Sequence, residues 1–286
     1  MINLKLRTKI LSGRQLAQEE EELLKKHWQK LSPSKRKRQL AVILVGNDPA
    51  SLLYVRLKER AARRVGINFR LSSFPASVSS SFLQEKVAAL SREKNVGGLV
   101  VQLPLPKSLQ NKQREILAAI DPQKDVDCLT EENLGRLFVG SPLVMPAAVA
   151  AIWRALQAGG GIDKKNIKGK EVCVVGNSNL VGKPLAVFLL NLGATVTVCH
   201  QQSRNLKEKT RRAEILISAT GKKDLIKGVM IKKGAWVIDV GSPEGDVCFK
   251  EVKKKAAFIT PVPGGIGPLT VVSLLRNFYL LLKGNF

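Results

Sequence analysis

Apolar runs of strand length alternate with amphipathic stretches of helix length along most of the chain. "QLAVILVG" (39–46) is continuously apolar, as in a strand buried on both faces. "SLLYVRLKERAARRVG" (51–66) has helical spacing, with Ser51 placed as N-cap and Gly66 as C-terminal stop. "INFRLSSFP" predicts a second strand, its apolar residues Ile67, Phe69 and Leu71 recurring with period 2. "SFLQEKVAALSRE" predicts a helix, and "VGGLVVQLPLP" (96–106) a strand ended by Pro104 and Pro106. "NKQREILAAI" predicts a third helix.

A second series follows Pro146. "AAVAAIWRALQAGG" reads as a helix closed by glycines. "KEVCVVG", "GKPLAVFLLNLG", "ATVTVCH", "LKEKTRRA", "EILISATG" and "GAWVIDVG" then alternate strand and helix. "LTVVSLLRNFYLLLKG" is a final helix, too apolar to stand alone and so expected to pack back on a domain. The alternation predicts an α/β protein with parallel sheets, and the second series a βαβαβ nucleotide-binding pattern.

Composition sharpens this picture. With 286 residues and 44% apolar side chains, the chain suffices for about two domains with real cores. Charge stands out, since 47 basic against 23 acidic residues give +24. Such a surface attracts anions. The basic residues lie in short clusters (Lys35 to Arg38, Lys164 to Lys170, Arg204 to Arg212, Lys253 to Lys255), and only 5% of residues are aromatic. A single-strand binder needs stacking platforms beside its charge, so no dedicated nucleic-acid partner is expected. Cys128, Cys173, Cys199 and Cys248 lack CxxC spacing, which argues for buried free thiols rather than zinc or disulfides. No metal is expected. Lys5, Arg7 and Lys9 interrupt the N-terminal apolar stretch, so no signal-peptide core is expected there. No apolar run is expected to reach the length of a membrane span. A cytoplasmic location follows as an expectation.

Four stretches could carry chemistry. "GNSNLVGKP" (176–184) is a glycine turn between a strand and a helix, the setting that cradles phosphate at a helix N-terminus. Gly176 permits close backbone approach, Gly182 and Pro184 open the helix, and Ser178 stands where the dinucleotide fingerprint has its second glycine. A plain βα turn is the competing reading. In "SLLYVRLK", Tyr54 and Lys58 are four residues apart on one helix face, which also suits an exposed lysine packed across a ring. Gln102 ends a strand, where α/β sheets bind ligands, or merely caps it. "DPQKDVDC" offers Asp121, Asp125 and Asp127. The EF-hand spacing is missing, so a carboxylate here either meets paired N–H donors of a heterocycle or belongs to a solvated loop. His27 and His200 form no constellation with a nucleophile.

In order along the chain, "LAVILVGNDPASLLYVRLKERAARRVGI", "GGLVVQLPLP", "DPQKDVD", "NLGRL", "VVGNSNLVGKP", "ATVTVCH", "VIDVGS" and "ITPVPGGIGPLT" resemble the signatures of the methylenetetrahydrofolate dehydrogenase/cyclohydrolase family. The resemblance runs from about Leu40 to the final helix. It implies oxidation of methylenetetrahydrofolate to methenyltetrahydrofolate with NADP, then hydrolysis to formyltetrahydrofolate. It implies that Lys58 is the catalytic lysine and that Gln102 contacts it. Tyr54 packs on the folate, and Asp127 holds the pterin. Pro263, Gly264 and Gly265 join the substrate site. Cofactor binding falls to Gly176, Asn177, Ser178, Gly182, His200, Gln201, Ser203, Arg204 and Ser242. The implied architecture has a folate-binding domain over 1–147, a Rossmann-type domain over 148–267, and a helix 268–286 that returns to the first. The active site is expected in the cleft between the two. A homodimer is expected.

The residue chemistry agrees with those roles. Hydride loss leaves an iminium cation on the folate, and a cationic neighbour disfavours a protonated lysine. A neutral Lys58 can draw a proton from the attacking water, and Gln102 orients it without adding charge. A tyrosine face suits a flat conjugated ring, and Asp127 can accept from pterin N–H groups. A basic surface suits folates with acidic glutamyl tails. No acid lies between Gly193 and Leu206, where NAD-binding units place one for the ribose, so NADP is expected over NAD.

Three departures stand out. Cys128 replaces the glycine usual after "KDVD", "PAAVAA" (146–151) replaces a "PCTPxG"-like segment, and "SPEGDV" is shortened. They bear on cofactor affinity and on the balance of the two activities. The alternatives are therefore a dehydrogenase with weak or no cyclohydrolase, or a basic nucleic-acid-binding protein on a Rossmann scaffold.

Overall fold

A computed structural model describes residues 8–284. In chain order its first elements are β1 (Lys9–Ile10), α1 (Gly13–Gln29), α2 (Pro33–Arg36), β2 (Gln39–Val45), α3 (Pro49–Val65), β3 (Asn68–Phe74) and α4 (Ser80–Arg92). Next come β4 (Val96–Val101), α5 (Gln113–Ala118), α6 (Glu131–Phe138), α7 (Ala147–Ala158), β5 (Glu171–Val175), α8 (Gly182–Asn191) and β6 (Thr195–Cys199). The chain closes with α9 (Leu206–Arg212), β7 (Ile215–Ser218), β8 (Trp236–Asp239), α10 (Phe249–Val252), β9 (Phe258–Ile259) and α11 (Ile266–Lys283). It divides into two compact units. One joins Gln18–Ala147 to Val271–Phe286, and the other joins the residues up to Ala17 to Ala148–Thr270.

The first unit holds a parallel sheet in the order β3-β2-β4. Its central strand is buried from Leu40 to Val45, because both faces are covered. Ala41, Ile43 and Val45 form a core with Leu83, Val87 and Leu90 of α4, Val96, Leu99 and Val101 of β4, and Ile116 and Leu117 of α5. The expected helix over 111–120 is α5 alone, preceded by a 3-10 turn over Lys107–Lys112. β3 is an edge strand, so its alternation does not turn every apolar side chain inward, and Leu71 stays 43% exposed. The N-cap of α3 is Asp48 rather than the expected Ser51: its carboxylate accepts from Ser51 N at 2.8 Å, and Pro49 occupies the first turn.

The later part of α11 belongs to this unit. Asn277 Nδ2 donates to Val126 O at 2.9 Å and to Met145 O at 2.7 Å, and Phe278 stacks on Trp28 with centroids 5.7 Å apart. Contrary to the expectation that no run would reach span length, α11 is long and apolar enough to cross a membrane, but 56% of it is buried inside the protein. That burial is the behaviour of a core helix.

The second unit carries a six-stranded, all-parallel sheet in the order β1-β9-β8-β7-β5-β6. β5, β7 and β8 are lined with buried Val172 to Val175, Ile215 to Ile217, and Val237 and Ile238. β1 extends the sheet by pairing Lys9 with Phe258 and Ile10 with Ile259. Residues 8–17, expected with the N-terminal domain, group with this unit. All four cysteines are free; Cys128, Cys173 and Cys199 are buried.

Candidate active site

The first unit concentrates four of the expected residues around α3 and the end of β4. Tyr54 and Lys58 share a face of α3, and Lys58 is buried, with 6% of its surface exposed. Its ammonium donates to Gln102 Oε1 at 2.9 Å and lies 3.9 Å from Asp127 Oδ2. Gln102 sits just beyond β4, where its backbone N donates to Ile43 O at 2.9 Å. Its own Nε2 donates to Leu103 O at 2.7 Å, which turns the amide oxygen toward the lysine. Tyr54 is half-buried.

The acidic turn separates into three jobs. Asp121 Oδ1 accepts from Gln123 N at 2.9 Å and closes the turn. Asp125 is buried, and its Oδ2 accepts from Thr130 N at 2.8 Å, Thr130 Oγ1 at 2.8 Å and Asn133 Nδ2 at 3.0 Å. That carboxylate fastens the start of α6. Asp127 alone faces Lys58. No group of three or more His, Cys, Asp or Glu side chains placed to hold a metal occurs among the described residues.

Burial pushes the Lys58 ammonium below its ordinary range, and the nearby Asp127 carboxylate opposes that shift. Burial also pushes the Asp127 carboxyl up, opposed by Lys58 and reinforced by Asp125. Each group resists its charged form, and the lysine is held by an uncharged amide. Next to the pair, Cys128 is fully buried at φ 58°, in the left-handed region that favours glycine. Burial drives its thiol well above the ordinary range.

The second unit builds its candidate site from backbone. β5 ends at Val175, and Gly176 turns the chain with φ 119°. A Cβ on Gly176 would lie 2.3 Å from Ala219 O, and one on Gly182 would lie 2.0 Å from Gly176 O. Neither position admits a side chain, so the turn is a bare cradle. Ser178 Oγ accepts from Val181 N at 3.2 Å, which leaves its proton to donate outward. Val181 gives α8 no side-chain cap, so the helix opens onto the turn without a capping group. Asn177 is exposed. This strand–turn–helix, with both of its glycines closed to a side chain, fits a dinucleotide pyrophosphate.

Past β6, His200 N donates to Ser203 Oγ at 2.9 Å and Gln202 N to His200 Nδ1 at 3.3 Å, a tight turn that leaves Gln201 and Arg204 exposed. Ser242, exposed, follows the end of β8. Pro263, Gly264 and Gly265 precede α11, where Arg14 N donates to Gly264 O at 3.2 Å. Two buried carboxylates here escaped the sequence reading. Asp239 Oδ1 accepts from Gly241 N at 2.9 Å and Asp246 N at 3.0 Å, and its Oδ2 from Val247 N at 3.0 Å. Burial pushes the Asp239 carboxyl up, against those three backbone donors. Asp246 Oδ2 accepts from Ser218 Oγ at 2.9 Å and Thr220 N at 2.6 Å. The only signal was an acid inside or beside an apolar run, in "VIDVG" and "GDV".

Both units match known domains. Residues 11–127 match the tetrahydrofolate dehydrogenase/cyclohydrolase catalytic domain, and residues 146–286 match the NAD(P)-binding domain of the same family. The chain belongs to the tetrahydrofolate dehydrogenase/cyclohydrolase family. It is 44% identical to the bifunctional protein FolD of Methanospirillum hungatei over 94% of its length and 95% of that protein's. Against the FolD protein of Bacillus pumilus the identity is 42%, covering 94% of this chain and 95% of the relative. Among solved structures, the FolD dehydrogenase/cyclohydrolase of Campylobacter jejuni superposes with a TM-score of 0.90 at 36% identity, covering 98% of this chain and 100% of that one. The methylenetetrahydrofolate dehydrogenase-cyclohydrolase of Trypanosoma brucei, solved with NADP and an inhibitor, gives 0.90 at 36% identity, covering 96% and 97%. For this family member, the all-parallel second sheet is the NAD(P)-binding domain, and the Lys58 cluster falls in the catalytic domain.

Proposed function

We propose that the chain oxidises methylenetetrahydrofolate to methenyltetrahydrofolate with NADP and hydrolyses the product to formyltetrahydrofolate, with Lys58 as the proton acceptor of the hydrolysis. The observation that carries this reading is the buried Lys58 ammonium, 2.9 Å from Gln102 Oε1 and 3.9 Å from Asp127. NADP, when bound, supplies the hydride acceptor. The bare Gly176–Gly182 turn would hold its pyrophosphate. Water adds to the cationic methenyl carbon, its proton passes to a neutral Lys58 amine, and the carbon–nitrogen bond then breaks as the leaving ring nitrogen takes up a proton and the adduct hydroxyl loses one, leaving the formyl group and releasing one proton overall. Gln102 keeps the amine aimed without adding charge. Asp127 accepts from pterin N–H groups, and Tyr54 lies along the ring face.

His200, Gln201, Ser203 and Arg204 form the turn offered to the cofactor's ribose, with no acid among them. An acid there would repel a 2′-phosphate, so NADP is the preferred partner. Incubation with methylenetetrahydrofolate and NADP should show methenyl absorbance rising and then decaying. A flat trace, or one that rises without decay, defeats the bifunctional reading. A higher kcat/KM with NAD, unchanged in Arg204→Ala, defeats the cofactor preference. A homodimer, a cytoplasmic location and polyglutamylated folates as substrates belong to the same proposal. Light scattering, cell fractionation and comparison of glutamylated substrates test them.

A further inference from the structure

Strands β5, β7 and β8 end side by side, with Val175 opposite Ser218 and Ser218 opposite Asp239. One rung further, Ala219 N donates to Val175 O at 2.8 Å and Val240 N to Ser218 O at 2.8 Å. Three turns leave this edge: Gly176 to Gly182, Ala219 to Thr220, and Gly241 to Ser242. Asp246 lies beneath them, fully buried. Its Oδ2 takes both Ser218 Oγ and Thr220 N, gripping Ala219 from either side. Ala219 O is the atom a Cβ on Gly176 would meet at 2.3 Å, so it forms the wall against which the glycine turn folds. On the other side, a Cβ on Gly241 would lie 2.8 Å from Asp246 Oδ1, so the third turn rests directly on the same carboxylate. Asp246 N, bonded to Asp239 Oδ1, fixes the carboxylate's own backbone to β8.

Asp246 Oδ1 is buried and has no hydrogen-bond partner. An unpartnered buried carboxylate oxygen is costly, and a brace needed for stability alone would do better without it. We propose that Asp246 is a positioning residue for the cofactor: its carboxylate sets the spacing between the Gly176 turn and the Gly241–Ser242 turn, and with it NADP affinity. The proposal rests on the reading of the Gly176 turn as the NADP cradle.

Calorimetric NADP binding without folate, run beside hydrolysis of methenyltetrahydrofolate, tests it. Hydrolysis needs no NADP and reports on the catalytic domain. Asp246→Ala should weaken NADP about tenfold or more, the loss of a charged hydrogen-bond acceptor, while hydrolysis stays at the wild-type rate. Asp246→Asn keeps an amide oxygen for Ser218 and Thr220 and should bind within about threefold of wild type. Should Asp246→Ala fail to fold, Ser218→Ala decides, with NADP weakened about threefold and hydrolysis intact. Wild-type affinity in the folded Asp246→Ala protein, or in Ser218→Ala, overturns the proposal. So does an Asn variant as weak as the Ala one, or a parallel loss of hydrolysis. A wild-type protein that binds no NADP overturns the cradle reading, and this proposal with it.

Discussion

The Lys58 cluster and the Gly176 turn solve opposite problems. The first forces charge into a place that resists it: burial depresses the lysine and raises its carboxylate partner. The second removes side chains where the backbone must come close, with Cβ positions at Gly176 and Gly182 blocked at 2.3 Å and 2.0 Å. A proton-transfer site needs a group with an altered acidity, and such a group is made by desolvation and neighbours. A phosphate cradle needs close approach, and that is made by absence. The two should therefore fail differently when perturbed.

The largest effect is expected at the charged site. Lys58→Met should lower methenyl hydrolysis about a hundred- to ten-thousand-fold, the range of a general base, with NADP binding unchanged. Stopped-flow decay of methenyl absorbance measures it, and a near-wild-type rate would remove Lys58 from the chemistry. Gly182→Ala should do the reverse. Its new Cβ meets backbone, which cannot swing aside, so a cost of about 1–3 kcal/mol is expected, seen as NADP affinity falling tenfold or more. Hydrolysis should persist. Titration of NADP against each variant shows whether the two losses cross over or travel together.

A third perturbation works through charge alone. Asp127 raises the Lys58 pKa, so hydrolysis should rise with pH as Lys58 loses its proton. Replacing Asp127 by Asn removes that opposing influence and leaves burial unopposed. The rising limb should then move to lower pH, alongside a higher KM for the folate. A limb that stays in place would mean that another group titrates.

The smallest effect concerns Cys128, held at φ 58°. Cys128→Ala loses the buried sulfur and keeps the left-handed strain, whereas Cys128→Gly loses the sulfur and relieves it. Glycine should be the better replacement by about 1 kcal/mol, against the usual order of alanine over glycine. Thermal melts of the two variants would show the inversion or its absence.

The legible part of the fold was the part written locally. "QLAVILV" and "EVCVV" announce buried strands by being apolar without interruption, and Gly66 ends α3 in the left-handed conformation expected of a stop. Helix α1 was overlooked. Its buried residues Leu16, Leu24 and Trp28 do recur at helical spacing, but a run of acids between them hides the stripe. β1 and β9, two residues each, exist only because they pair with each other and, for β9, with β8. Within the site, spacing put Tyr54 and Lys58 on one face of α3 and Gln102 at a strand end, while their roles were implied by the family resemblance rather than by spacing. The division of labour between Asp125 and Asp127 was not. It depends on Thr130 and Asn133 reaching one acid and Lys58 reaching the other. Asp246 stayed hidden for the same reason, since its partners lie 26 and 28 positions upstream.

Neither unit is a single stretch of chain: residues 8–17 join the second unit, and α11 begins in that unit and finishes in the first. As the polypeptide leaves the ribosome, the β3-β2-β4 sheet is complete long before Phe278 exists to stack on Trp28, or Asn277 to tie down Val126 and Met145. The part made first must therefore wait, partly uncovered, until the second sheet has been synthesised and the final helix arrives. Closure of the catalytic domain thus falls to α11, and a nascent chain halted after β9 would carry a finished sheet with an open flank for chaperones to find.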